Sequence, residues 1–170
     1  MIDALNQVSG AIAGGLIGGF AGFISNNLHR WLQTRQMRRN VACALIGEIG
    51  ALQQRIARDY LPILRGVVDT LSGPDRFPEH QFRAEREYAP IFRSMGHQIG
   101  LLPTPLPRDL VQWYTSLSLY LERANELHDL VHARNPQYRA YALTVAEYQF
   151  RGFSELVESS APLIDQLSRF

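Results

Sequence analysis

Two histidines, His128 and His132, stand four residues apart in the run His128-Asp-Leu-Val-His132. On a helix that spacing puts both imidazoles on one face, where they can hold a metal ion. A zinc-protease helix would need Glu in place of Asp129 and a third ligand elsewhere. Glu122 and Glu126 are the nearest carboxylates in sequence, and no third ligand is evident. The preferred reading is two solvated histidines beside an apolar stripe, with no metal and no cofactor. Glu85 with Glu87, and Glu122 with Glu126, pair carboxylates in the manner of a general acid and base. On amphipathic helices such acids are more often solvated or paired with neighbours, here Arg83, Arg86 and Arg123. No serine lies in a GxSxG setting, and the glycine run near the amino terminus has no phosphate-loop lysine. Tyr138, Tyr141 and Tyr148 beside Arg134, Arg139 and Arg151 have the types that stack on bases, but a helix-packing face is the preferred reading. No catalytic constellation results, and the chain is read as a non-enzyme.

The elements that would position these residues are helices. The stretch Leu5 to Leu28 carries no charge and is rich in glycine. It has the roughly 20 apolar residues that a membrane-spanning helix needs. Basic residues follow it and do not precede it, which argues against a signal peptide. His29, Arg30, Arg35, Arg38 and Arg39, with Trp31 as an interfacial ring, place that side inside under the positive-inside rule. The expectation is an anchor over residues 1–28 with its amino terminus outside and a cytoplasmic helical domain over residues 29–170. Gly10, Gly14, Gly18 and Gly22 repeat every four residues, and Ala11, Gly15 and Gly19 form a second row beside them. Together they make a side-chain-free face against which another helix can pack closely.

All 17 basic residues are Arg, and Cys43 is the only cysteine. The first fact suggests a GC-rich bacterial genome. The second excludes an intramolecular disulfide, and Cys43 is expected to be buried in its apolar run. Residues 1–66 hold seven Arg against three acids, whereas residues 67–170 hold ten against thirteen. The basic excess is read as contact with anionic lipid through Arg30, Arg35, Arg38 and Arg39, so nucleic acid is not expected.

Past the anchor the pattern predicts a long helix over about residues 29–70, with Leu45, Ile49, Leu52, Ile56, Ile63 and Val67 as its apolar face. Pro62 should kink or end it. Broken short helices are predicted over about residues 78–96, Pro78 opening the first of them. Two long helices, about 107–133 and 136–168, form an antiparallel hairpin, the second capped by Asn135. Their seams are Leu110, Trp113, Leu117, Tyr120, Ala124, Leu127 and Val131, and Ala142, Ala146, Gln149, Phe153, Leu156, Ser160, Leu163, Leu167 and Phe170. The fold class is all-α.

The order of parts carries a resemblance. A glycine-rich span and an arginine flank lead to Ala44-Leu-Ile-Gly-Glu-Ile49, then Tyr88-Ala-Pro-Ile-Phe92, Gln98-Ile-Gly-Leu-Leu102 and Leu110-Val-Gln-Trp-Tyr114. In this the chain resembles uncharacterised small membrane-anchored helical proteins of bacteria. The resemblance implies no catalytic or binding residue. The expected function is an accessory or scaffold subunit of a bacterial inner-membrane complex, partnered by other membrane subunits or by itself. The alternatives are a self-assembling glycine-zipper effector or channel, and a membrane-tethered domain that binds a ligand or nucleic acid.

Overall fold

Every regular element among the described residues is helical. The structure is a computed structural model of the chain that describes residues 2–74, 76–79, 83 and 88–170, with side chains from residue 26 onward. The helices are α1 (Ile2–Arg55), α2 (Leu61–Ser72), α3 (Pro90–Ser94), α4 (Gly96–Ile99), α5 (Leu106–His132) and α6 (Arg139–Ser168). A π turn, Ile56–Tyr60, joins α1 to α2, and a 3-10 turn, Pro136–Tyr138, leads into α6.

The chain divides into two units, Met1–Asn40 and Val41–Phe170. The first holds most of α1. Its described side chains, from Asn26 to Asn40, are all exposed except half-buried Thr34. The side chains of Gly10, Ala11, Gly14, Gly15, Gly18, Gly19 and Gly22 lie outside the described residues. The expected span falls within α1, which does not end at residue 28 but continues through Arg30, Arg35, Arg38 and Arg39. Among the described residues no helix is long and apolar enough to cross a membrane. The membrane-anchored architecture, the inner-membrane location with its orientation, and the lipid contact are corrected on that finding. The physical reason lies in the stretch itself, whose many Gly and Ala side chains add little transfer energy.

The second unit is built on a core that runs through the last turns of α1, α2, α5 and α6. Leu45, Ile49, Ile56, Leu64, Leu110, Leu117, Phe153 and Leu167 are its largest fully buried apolar side chains. The predicted stripe holds as far as Ile56. Beyond it Tyr60, Leu64 and Leu71 are buried and Ile63 is only half-buried, while Val67 is buried as predicted. The π turn causes this. Its extra residue lets Leu61 N–H reach back five residues to the Ile56 carbonyl, which rotates the stripe by about one position. On α5 the same one-residue correction puts Leu121 in the core in place of Tyr120, which is half-buried.

Pro78 does not open a helix. Residues 76–78 are extended or irregular, and among the described residues the next helix begins at Pro90. The proline-rich connector after Met95 contains α4 and carries buried Ile99 and Leu102. Cys43 is exposed, against expectation, because it lies beside the stripe of Val41, Ala42 and Leu45 and not on it.

Two polar contacts tie the short elements to the long ones. Glu48, buried on α1, accepts hydrogen bonds from Ile91 N–H (2.7 Å), Phe92 N–H (3.0 Å) and the Tyr114 hydroxyl (2.7 Å). It thereby satisfies two of the donors that the first turn of α3 leaves unpaired. Phe92 stacks on Tyr114 with ring centroids 3.8 Å apart. Burial, followed by the hydrogen bond to and the charge of Glu48, raises the Tyr114 phenol far above its ordinary pKa. At the other end, the Arg139 guanidinium donates to the carbonyls of Thr70 (3.1 Å), Leu71 (3.0 Å) and Gly73, closing the end of α2. Asn135, expected to cap the second hairpin helix, instead caps the 3-10 turn that leads into it, accepting from Gln137 N–H at 3.0 Å.

Candidate binding groove between α5 and α6

The hairpin helices meet along a seam that opens into a groove of about 380 Å³. Trp113, Gly152, Leu156 and Leu163 are its buried lining residues. Asp109, Gln112, Ser116 and Tyr120 line it from α5, and Glu155, Ser159 and Gln166 from α6. Positions 109, 112, 116 and 120 fall three or four residues apart, so the α5 wall is one face of a helix.

Gly152 sets how closely the two helices approach. A Cβ at that position would lie 2.4 Å from ring atoms of Tyr120. Tyr120 therefore lies across the α6 backbone, with Tyr148 (5.8 Å) and Phe153 (5.7 Å) as ring neighbours. Burial first, then the charges of Tyr148 and Glu155, raise the Tyr120 phenol, so it is a neutral donor at ordinary pH. Further along, Trp113 Nε1–H donates to the Leu156 carbonyl at 3.2 Å and fixes the indole edge-on to Tyr114. The charged side chains of the lining, Asp109 and Glu155, are both carboxylates. Asp109 already meets Arg108 at 3.2 Å, but that arginine is 79% exposed, so the pairing is screened and exchangeable.

The sequence candidates do not gather here. His128 and His132 lie further along α5 with ring centroids 6.0 Å apart. Among the described residues no group of three or more metal-type side chains forms. His128 Nδ1 is buried without a hydrogen-bond partner. Glu126 is held by two neighbours. It accepts from Tyr141 (2.7 Å) and Arg123 (2.6 Å), in that order of effect, and both lower its pKa. Glu85 and Glu87 lie outside the described residues. Tyr138, Tyr141 and Tyr148 are about half exposed, at 48 to 50%, so they do not form the packing face expected of them. The groove itself was missed in the sequence, although its signal was a second, polar stripe running beside the apolar seam of each hairpin helix. Glu48 was missed as well, and its signal was an acid in register with Leu45 and Ile49.

No protein-family model matches the chain, no curated protein matches it, and no solved structure matches it. The resemblance to membrane-anchored helical proteins is corrected with that result, and no role comes to this chain from a relative.

Proposed function

We propose that the unit Val41–Phe170 is a non-catalytic helical binding module whose α5–α6 groove takes a cationic group, the guanidinium or ammonium of a basic peptide. This replaces the membrane-subunit reading and both of its membrane-bound alternatives. The observation that supports it is the groove's chemistry: two carboxylates, Asp109 and Glu155, with the aromatic rings of Tyr120 and Trp113. A cation gains from both, through charge and through the ring faces. The volume is within the range of small-ligand sites, and the hydroxyls and amides around it can orient a donor. Binding, not turnover, is the reading because Ser116 and Ser159 have no histidine among the lining residues to act as their base.

The test is calorimetric titration of the full chain with a blocked tetra-arginine peptide and a tetra-citrulline control. The arginine peptide is expected to bind, and Asp109→Asn with Glu155→Gln to weaken it about tenfold or more. Equal binding of the uncharged peptide, or no change in the double variant, would remove the groove from consideration.

A further inference from the structure

The arginines of α1 lost their expected partner with the membrane span, and they are unusually arranged. Between Asn26 and Gly47 there is no acidic residue, while Arg30, Arg35, Arg38 and Arg39 fall within ten positions. All four are exposed on helix α1, and among the described residues none makes an ion pair. At about 100° per residue all four fall on one half of the helix circumference, with Asn27, Trp31 and Thr34 among them. They extend over about 13 Å of axis. Trp31 is 56% exposed, and the Arg35 guanidinium lies over its ring at 5.5 Å.

We infer that residues 26–40 of α1 form a docking surface for duplex DNA, the arginines contacting phosphates and the helix lying in the major groove. Four observations point the same way. The face is cationic and has no acid to repel a polyanion. The cations are guanidinium groups, whose forked donors match phosphate oxygens. Asn27 and Thr34 stand between them as neutral hydrogen-bonding side chains, the types that read base edges and sugar–phosphate atoms. A single helix also fits a B-form major groove about 12 Å wide, whereas the major groove of duplex RNA is too narrow for it. The inference is independent of the α5–α6 groove.

The experiment is fluorescence anisotropy of a labelled 20-bp DNA duplex titrated with the full chain between 50 and 200 mM salt. Four phosphate contacts predict a slope of log K on log salt of about −3.6, or about a hundredfold weakening over that range. Arg35→Gln with Arg38→Gln should roughly halve the slope. These residues are exposed, so circular dichroism should show unchanged helix content in the double variant. No binding at 50 mM salt overturns the inference, as does a slope that the double variant leaves unchanged. Tighter binding to a single-stranded RNA of equal length also overturns it, as does binding to phosphatidylglycerol vesicles without binding to the duplex.

Discussion

Pro62 and Pro162 both lie in long helical runs, and the chain accommodates them in opposite ways. Each lacks the N–H that would pair with a carbonyl one turn back, and each ring crowds that carbonyl. At Pro62 the backbone gives way. The π turn Ile56–Tyr60 precedes it, and α2 begins afresh at Leu61 with the proline in its first turn. There Ala57, Arg58 and Asp59 are exposed, so water is at hand for a freed carbonyl. At Pro162 the helix does not give way, and α6 runs through to Ser168. The carbonyl that loses its helical donor there is that of Glu158, on an exposed residue where water is also at hand. Trp113 and Ser159 donate to the Leu156 carbonyl (3.2 and 3.1 Å), and Gln53 and Ser160 to the Val157 carbonyl (3.4 and 2.6 Å). The difference is one of surroundings. An exposed turn can change its hydrogen-bond register cheaply, whereas a helix packed against both α2 and α5 keeps its register.

The largest test of that account is Trp113. Trp113→Ala should cost about 3–5 kcal/mol, the usual range for deleting a buried aromatic side chain. Most of that is lost packing, so Trp113→Phe is the sharper variant. It keeps a ring and removes the Nε1–H donor, with an expected cost of about 1–2 kcal/mol in urea unfolding. If Trp113→Phe is neutral, the indole is only a space-filler, and the claim that α5 supplies donors to α6 fails.

A helix start poses the complementary problem, unpaired donors in place of unpaired acceptors, and Glu48 meets it at α3. Tyr114→Phe removes one of the carboxylate's three donors and should cost about 1–2 kcal/mol near neutral pH. The pH dependence follows from the raised phenol. A tyrosine whose pKa is higher in the folded state than its unfolded value of about 10 contributes stability that is fully present below that pH. That stability is lost as the pH rises above it. The wild-type chain should therefore lose stability above about pH 10 more steeply than Tyr114→Phe, measured as the difference in urea midpoint between the two. Parallel curves for the two proteins would mean that the Tyr114 environment does not penalise the phenolate.

What could be read from the sequence tracks the same distinction between local and distant causes. The α6 seam from Ala142 to Leu167 was legible position by position, because a 30-residue helix keeps one register along its length. Only Phe170, past the helix end, is exposed instead of buried. The α1–α2 stripe was legible except next to the π turn, where one added residue moved Leu64 into the place expected of Ile63; Val67 beyond it is buried as expected. The role of Glu48 was not legible: its register beside Leu45 and Ile49 marks it for burial, but its partners stand 43 to 66 residues away. The groove was hidden for the same reason, since Asp109 and Glu155 belong to different helices. The span over residues 5–28 was inferred from its length, its lack of charge and its basic flank, with too little weight on how weakly glycine drives transfer out of water.

The smallest effects fall on the prolines themselves, and there the comparison is most direct. Replacing Pro162 by Ala restores an N–H and removes a ring from the interior of a helix, a change worth up to about 3 kcal/mol in an isolated helix. Against that stand the greater entropy of the unfolded chain, about 0.4–1 kcal/mol, and the water already available to the exposed Glu158 carbonyl. The net expectation for Pro162→Ala is a gain of about 1 kcal/mol. Pro62 sits in the first turn of α2, where a proline is tolerated and its fixed φ suits the helix. Pro62→Ala regains little and gives up the restriction on the unfolded chain, so it should fall within about 0.5 kcal/mol of wild type, on the destabilising side. Urea unfolding of the two variants in one buffer decides the matter. Equal gains at both positions would mean that the π turn is not an accommodation to Pro62 but a strain that Pro62 imposes. A loss at Pro162 would mean that the restriction the proline places on the unfolded chain outweighs the hydrogen bond it withholds from α6.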